Sequence, residues 1–141
     1  MNPPTSTYLY GAHAHANGIR QHYMRYGGER AGRDAVIVIP GITSPAATWG
    51  FVAERLGRQF DTYVLDVRGR GLSSSGPDLD YGLDAQAADV VALAQALGLT
   101  RYALVGHSMG GRIAVRAASR APQGLTLSLI HISEPTRRYA I

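Results

Sequence analysis

The sequence predicts an α/β domain in which a β-hairpin precedes alternating strands and helices, with a mostly parallel sheet covered by helices on both faces. Three short apolar runs, rich in β-branched residues, are typical of strands buried on both faces of such a sheet. These runs are Ala35–Ile39, 62–65 and 102–105. Helical stretches separate them, and this alternation implies right-handed crossovers. With 141 residues, the chain has room for one domain of ordinary size.

The N-terminal part of the chain predicts a β-hairpin over residues 8–26. Residues 8–16 and 19–26 both have the character of extended strands. Asn17-Gly18 lies between them, and this dipeptide is typical of a two-residue hairpin turn. We therefore expect an antiparallel pair of strands ahead of the parallel part of the sheet.

Three helices are predicted after the hairpin. Residues 49–56 carry apolar side chains at the spacing of a short amphipathic helix. Residues 83–97 are rich in alanine and leucine, and Gly98 after them is a typical helix C-cap. The third helix is predicted over residues 113–120. The polar, glycine-rich residues 66–81 are predicted to form a loop.

Composition excludes several classes of protein. Hydrophobic residues make up 45% and charged residues 17% of the chain, so it can bury a core. Cysteine is absent, which excludes disulfides, thiolate metal sites and a cysteine nucleophile. No apolar run reaches the ~20 residues that a membrane span needs, and the N-terminus lacks the features of a signal peptide. We expect a cytoplasmic protein without a membrane partner.

The positive charge does not indicate a nucleic-acid partner. The formal net charge is +4, but all 14 basic residues are arginines spread from Arg20 to Arg138. No dense cluster and no nucleic-acid recognition module accompany them. We expect a small-molecule substrate instead, and the sequence gives no indication of the oligomeric state.

The residues Gly106-His107-Ser108-Met109-Gly110 carry the chemistry. They fit the pattern G-x-S-x-G between a predicted strand and a predicted helix, which is the context of a nucleophile elbow. Such a tight turn needs small residues where the backbone passes close to its neighbours, and glycine stands at both ends. The turn would lift the Ser108 hydroxyl to the N-terminus of the following helix, where the helix dipole is positive. We predict that Ser108 is a nucleophile.

A serine nucleophile also needs donors that stabilise the oxyanion. The backbone N–H of Met109, directly after the nucleophile, is the first predicted donor. The second is the backbone N–H of Ile42, because it follows the first buried strand and Gly41 permits the turn that would aim it. Both roles belong to the backbone, so residue identity alone does not test them.

The base and the acid that serve such a serine are missing from the residues that follow it. In this arrangement an acid and then a histidine come after the nucleophile, but residues 109–126 contain neither. His107 is expected to pack rather than to act as the base. His13 and His15 share a strand face, and we expect them to be exposed rather than to bind a metal.

Two further features have a structural and a functional interpretation. Residues 66–73 look like a phosphate loop but lack the G-K-[ST] ending, so we expect an Asp–Arg arrangement that orders the loop. Trp49 either lines the substrate pocket or anchors its helix in the core, and the sequence favours neither alternative.

The C-terminal residues are predicted to be foreign to the domain. Residues 127–137 read Leu-Ser-Leu-Ile-His-Ile-Ser-Glu-Pro-Thr-Arg, which equals the in-frame translation of a common transposase sequencing adapter. The alternative is a natural strand, because residues 125–132 are apolar enough to form one. We predict a partial domain over residues 1–126 and an adapter-derived tail over 127–141, and we therefore exclude His131 as the base.

Several motifs together resemble the α/β-hydrolase superfamily. They are the Pro40-Gly41 turn, the D-x-R-G-x-G-x-S motif at 66–73 and the G-H-S-M-G motif at 106–110. Longer stretches are similar to the N-formylmaleamate deformylases of aerobic nicotinate breakdown; they are residues 17–23, 40–45, 48–57 and 60–82.

This resemblance implies the N-terminal part of an α/β-hydrolase fold, truncated after the helix that follows the elbow. The implied strand order is 1-2-4-3-5, so the strand at 102–105 would be an edge and would promote aggregation. The implied activity is a cofactor-free, metal-free release of formate from N-formylmaleamate, leaving maleamate. Ser108 matches the nucleophile, and Thr43 and Ser44 are candidate hydrogen-bond donors to the substrate carboxylate.

The family's acid and histidine have no counterpart before residue 127, so we expect this chain alone to be inactive. Two alternatives to a deformylase stay open. One is a carboxylesterase or a C–C bond hydrolase with the same elbow, and the other is a non-catalytic binding module that uses the same pocket floor.

The origin of residues 127–137 can be tested on the nucleotide sequence. We predict that the codons reproduce the adapter base for base, because a translated adapter keeps its own nucleotides. The nucleotide sequence from which residues 127–137 were translated checks this. Synonymous but different codons would contradict the prediction.

Overall fold

A computed structural model describes residues 11–28, 31–41 and 44–131. Within these residues, six strands form one sheet; they are β1 (Ala12–Ala16), β2 (Ile19–Tyr26), β3 (Ala35–Ile39), β4 (Asp61–Leu65), β5 (Tyr102–His107) and β6 (Leu125–His131). A 3₁₀ turn and three helices accompany them; they are Ala46–Trp49, α1 (Gly50–Leu56), α2 (Leu83–Ala96) and α3 (Met109–Ala118). The strand order is β1-β2-β4-β3-β5-β6.

The predicted hairpin is confirmed where the structure describes it. β1 and β2 pair antiparallel, and the turn residues Asn17 and Gly18 have positive φ angles of 57° and 75°. Two successive positive φ angles define the type I′ turn, whose twist matches that of the flanking strands. Residues 8–10 of the predicted hairpin lie outside the described residues. β2 continues antiparallel onto β4, and all later pairings are parallel.

The parallel strands form the centre of the molecule, as their apolar sequences predict. Every residue of β3 is buried, and alternate side chains enter two separate clusters. Ile37 and Ile39 pack with α2 and α3, whereas Val36 and Val38 pack with the 3₁₀ turn and α1. The alternation follows from the two-residue period of a strand. Helices therefore cover both faces, as predicted.

The helices agree with the sequence in number, α2 starts where it was predicted to start, and the other two differ at their starts. α2 ends as predicted, because Gly98 has a φ of 68° and the N–H of Leu99 donates to the carbonyl of Ala94 at 3.0 Å, as in a Schellman motif. α3 begins at Met109 and not at residue 113. Of the helix predicted over 49–56, Trp49 belongs to the 3₁₀ turn and residues 50–56 form α1. In the described part of the chain, no helix has the length and apolar character needed to cross a bilayer.

The strand that was predicted to be the edge of the sheet, β5, has a further strand beside it. The order of the first five strands is the predicted one, but β6 pairs in parallel with β5, so β5 is an inner strand. Within the described residues the sheet therefore has one strand more than the five that were predicted. Pairing with β6 provides hydrogen-bond partners for the backbone groups on this side of β5. Residues 127–131 thus pair within the sheet, while their origin stays a prediction.

The free edge of β6 is predicted to cause self-association. Leu127 and Leu129 are each 60% exposed on this strand, and an apolar edge strand offers unpaired backbone groups to another chain. We expect Leu127→Lys combined with Leu129→Lys to raise the monomer fraction, measured by sedimentation velocity over a concentration series. Phe51→Lys is the control, since Phe51 is 73% exposed on α1, away from this edge. A wild-type chain that stays monomeric throughout would contradict this prediction.

Candidate active site

Ser108 lies at the corner between β5 and α3 in a backbone conformation that is unfavourable for a non-glycine residue. Its φ and ψ angles are 57° and −122°, and such conformations typically store about 1–3 kcal/mol of strain. Ser108 occupies the N-cap position of α3, yet its hydroxyl makes no capping hydrogen bond. The residue is half-buried, so the oxygen is not sealed in the core. The predicted strand–turn–helix context of an elbow is present.

Glycines allow the elbow to approach the end of β3. A Cβ atom on Gly110 would overlap the carbonyl oxygen of Ile39 and would lie 2.6 Å from that of Pro40. A Cβ atom on Gly106 would overlap the backbone of Gly110. Both positions therefore exclude any larger residue unless the backbone shifts. As a result, the first turn of α3 contacts the chain directly after β3.

Gly41 places this chain segment against the nucleophile candidate. A Cβ atom on Gly41 would lie 3.2 Å from the Cβ and 3.7 Å from the Oγ of Ser108. The carbonyl of Gly41 accepts a hydrogen bond of 3.1 Å from the N–H of Ser44, which turns the chain at this point. Ile42 and Thr43 lie outside the described residues. Their predicted roles, as oxyanion donor and substrate contact, stay predictions.

The start of α3 provides backbone donors beside Ser108. Met109 is the first helical residue, and the N–H groups of a first helical turn have no acceptor within the helix. The positive end of the helix dipole lies at the same place. The N–H of Gly111 already donates to the carbonyl of Ser108 at 2.8 Å. The geometry is thus compatible with the predicted role of Met109 in binding an oxyanion, which stays a prediction.

Two aromatic rings lie next to the elbow. The rings of Trp49 and His107 meet edge to face, with centroids 5.5 Å apart. Trp49 is half-buried and packs against the smaller core cluster. Trp49 therefore anchors the 3₁₀ turn in the core and also lies beside the residue that precedes Ser108. His107 has a packing contact, as expected. Substrate contacts by Trp49 and by the half-buried Ser44 stay predictions.

Asp66 accepts hydrogen bonds from three separate segments of the chain. Its carboxylate is 2.7 Å from the Nδ1 of His22 in β2 and 2.7 Å from the backbone N–H nitrogen of Ala46 in the 3₁₀ turn. A third bond of 3.1 Å comes from the N–H of Leu72. Ser73 adds a backbone link, because its hydroxyl donates to the Asp66 carbonyl and accepts from the N–H of His22. This buried network orders the loop that follows β4.

Arg68 makes a second buried network with Asp89 of α2. The guanidinium and the carboxylate form two parallel hydrogen bonds of 2.7 Å each, a geometry that is strong and directional. Asn17 of the hairpin turn donates to the same carboxylate at 2.8 Å. The hydrogen bonds that Arg68 donates to Asp89 raise the pKa of Arg68 above its ordinary value. With its guanidinium used in this way, Arg68 does not form a phosphate site.

The prediction of an Asp–Arg arrangement was right about loop ordering and wrong about the partners. Asp66 and Arg68 do not pair with each other. Asp66 binds His22 and the 3₁₀ turn, and Arg68 binds Asp89. Sequence reasoning missed His22 and Asp89, since a lone histidine in a strand and a lone aspartate in a helix give no local signal.

The other histidines show no metal site. His13 and His15 are exposed on β1, as expected. The ring of His13 lies 5.0 Å from that of His22, and partial burial together with this neighbour lowers the pKa of His13. Among residues 11–28, 31–41 and 44–131, no group of three or more metal-binding side chains comes together.

The fold and the elbow define the class of protein. A family model for the alpha/beta hydrolase fold matches residues 34–135. The chain belongs to this α/β-hydrolase family.

Individual members of this family are similar to the chain to different degrees. The chain is 65% identical, over 136 residues, to N-formylmaleamate deformylase of Pseudomonas putida, covering 94% of the chain and 50% of the relative. A crystal structure of the N-formylmaleamic acid deformylase of Pseudomonas putida S16 matches 84% of the chain and 45% of its own, with 55% identity and a TM-score of 0.76. A putative carbamate hydrolase of Caulobacter vibrioides is 33% identical, over 74% of the chain and 39% of its own length. The chain thus spans half or less of these relatives.

The close contact at Gly110 predicts a selective loss of stability. We expect Gly110→Ala to lower the free energy of unfolding by about 1–3 kcal/mol, because the new methyl group overlaps the end of β3. Denaturant unfolding followed by circular dichroism measures this. Gly50→Ala is the matched control, because Gly50 is helical and its nearest neighbour would be 3.4 Å away. An equal effect of both substitutions would refute the steric explanation.

Proposed function

We propose that this chain provides the nucleophile and the oxyanion hole of a serine hydrolase that releases formate from N-formylmaleamate. The strained corner at Ser108 is the single observation that carries the proposal. It presents a hydroxyl that does not cap its helix, beside Gly41 and the first turn of α3. The 65% identity to a deformylase over 94% of the chain supports the choice of substrate.

The proposed reaction has two stages, which are transfer of the formyl group to Ser108 and hydrolysis of the resulting ester. The Ser108 oxygen attacks the formyl carbon, and the carbonyl oxygen becomes an oxyanion held by the N–H groups of Met109 and Ile42. The C–N bond then breaks, the nitrogen takes up a proton and maleamate leaves. Because this nitrogen is itself acylated, it is a better leaving group than an ordinary amine. Water then hydrolyses the formyl ester on Ser108 and releases formate.

The proton acceptor comes from outside the first 126 residues in this proposal. Residues 109–126 contain no acid and no histidine, whereas a serine of this type needs both. The deformylase relative is about twice as long as the matched segment. We assign the histidine and its acid to that further length and expect the 141-residue chain alone to be inactive. His131, within the adapter-like residues, is not assigned this role.

The substrate is a small molecule with a carboxylate, and we assign two polar side chains to it. The hydroxyl groups of Thr43 and Ser44 follow Gly41 directly and are candidate donors to that carboxylate. Trp49, packed edge to face on His107, forms a wall of the same site. The proposal requires no metal or cofactor and assumes that the reaction takes place in the cytoplasm.

Two other functions are outcomes of the same test. A carboxylesterase or a C–C bond hydrolase would use the same serine on another carbonyl carbon. A non-catalytic binding module would use the pocket without the hydroxyl. No contact in the structure favours either of them over the deformylase.

The test joins residues 1–126 to the remaining length of the Pseudomonas putida relative and measures formate released from N-formylmaleamate. We expect turnover by the joined protein, and loss of at least about 10⁴-fold in kcat for Ser108→Ala, because the nucleophile is then absent. Labelling of Ser108 by a fluorophosphonate reports the nucleophile independently of the substrate.

The alternatives give different results in this test. Labelling without formate release indicates an esterase or a C–C bond hydrolase. Absence of both indicates a binding module, and full turnover with Ser108→Ala refutes the assignment of the nucleophile.

A further inference from the structure

We propose that Asp66, supported by His22, is a positioning residue that holds residues 44–46, and through them Gly41, in place beside Ser108. This inference rests on the proposed function, since it assigns a role to the segment that carries the second oxyanion donor. Asp66 lies at the end of β4 and is 3% exposed. It touches neither Ser108 nor the substrate site directly, and acts through the backbone of Ala46.

The segment 41–46 is held at both of its ends. At its start, Gly41 packs on the side chain of Ser108. At its end, the N–H of Ala46 donates to the Oδ1 atom of Asp66 at 2.7 Å, and Ala46 is itself 1% exposed. Hydrogen bonds to a carboxylate of this length are charge-assisted and are stronger than neutral ones. Because the N–H of Ser44 also donates to the carbonyl of Gly41, the positions of Gly41 and of residues 44–46 depend on where the carboxylate is held.

His22 determines where that carboxylate is held. Its Nδ1 atom is 2.7 Å from the Oδ2 atom of Asp66, and both side chains are 4% exposed. β2 pairs antiparallel with β4, and the backbone N–H of Asp66 donates to the carbonyl of His22 at 2.9 Å. The two residues are thus joined by side chain and backbone, so the carboxylate has little freedom to rotate away from Ala46.

The competing explanation is that Asp66 orders only its own loop. The hydrogen bond from Leu72 and the link through Ser73 belong to that loop. They occupy Oδ2 and the backbone carbonyl of Asp66, however, and leave Oδ1 for Ala46. Oδ2 is therefore shared by β2 and the loop, whereas Oδ1 binds Ala46, and the effects on the loop and on Ala46 can be measured separately.

Amide NMR of the 141-residue chain tests the proposal without any turnover. In Asp66→Asn, we expect the Ala46 amide proton to shift upfield and the amides of 44–46 to exchange faster, because a charged acceptor is replaced by a neutral one. Asp89→Asn is the matched control. Asp89 is also a buried carboxylate that orders the loop after β4 through Arg68. Among the described residues, its hydrogen bonds go to Asn17, Gln21 and Arg68, and not to Gly41 or residues 44–46.

A second pair of variants covers the case in which Asp66→Asn does not fold. His22→Leu removes the donor to Oδ2 and should shift the Ala46 amide in the same direction. His22→Asn keeps an N–H donor near the position of Nδ1 and should restore the wild-type shift at least in part. Changes confined to Leu72 and Ser73, with Ala46 unaffected, would overturn the proposal.

The joined protein described above gives the functional readout. A displaced oxyanion donor weakens transition-state binding only, so Asp66→Asn should lower kcat about tenfold with little change in KM. Asp89→Asn should leave kcat near the wild-type value. Equal losses in both variants would overturn the positioning role. If no version of the joined protein releases formate, the proposed function fails, and the NMR result alone decides the role of Asp66.

Discussion

The close backbone approach between α3 and the end of β3 is the constraint on which the rest of the structure depends. Gly110 has no room for a side chain against the carbonyl oxygens of Ile39 and Pro40. This contact fixes the position of α3, and Ser108 must then bridge from β5 to α3 in a single residue. The positive φ of Ser108 is a consequence of that short connection. The same contact brings Gly41 to the serine, so one packing requirement produces both sides of the candidate site.

The strained backbone conformation of Ser108 persists because the contacts of β5 and α3 fix the chain on both sides of it. A left-handed serine typically costs about 1–3 kcal/mol, and the elbow has no freedom to relax. β5 is paired on both sides, and the buried Ile113 and Ala114 of α3 pack in the larger core cluster. Removing the strain would require either end to leave the core, which costs more than the strain itself. A hydroxyl held in this way needs no further ordering before it reacts.

Local sequence signals predicted most strands and helices. The start of α3 and the pairing of β6 were missed because they depend on contacts between residues distant in sequence. The apolar runs and Asn17-Gly18 were sufficient to locate five strands, because each signal lies within a few residues, whereas the order of the strands came from the family resemblance. The start of α3 was placed four residues late, since Gly110 and Gly111 have poor helix propensity and only the packing on β3 makes that turn helical. β6 was doubted because of its resemblance to an adapter, although its apolar alternation suits a strand that pairs with β5.

In the candidate site, too, the residues of a local motif were predicted, and the contacts between residues distant in sequence were not. The G-x-S-x-G spacing identified Ser108, because every residue of that motif lies within two positions of the serine. Asp66 and Arg68 were correctly linked to loop order, but their partners are 44 and 21 residues away, in β2 and α2. Two buried carboxylates beside the loop that follows β4 thus have separate tasks. Asp89 joins the loop to the hairpin and α2, whereas Asp66 joins it to β2 and to Ala46, which lies in the segment that follows Gly41. This difference is the reason for assigning the positioning role to Asp66 and not to Asp89.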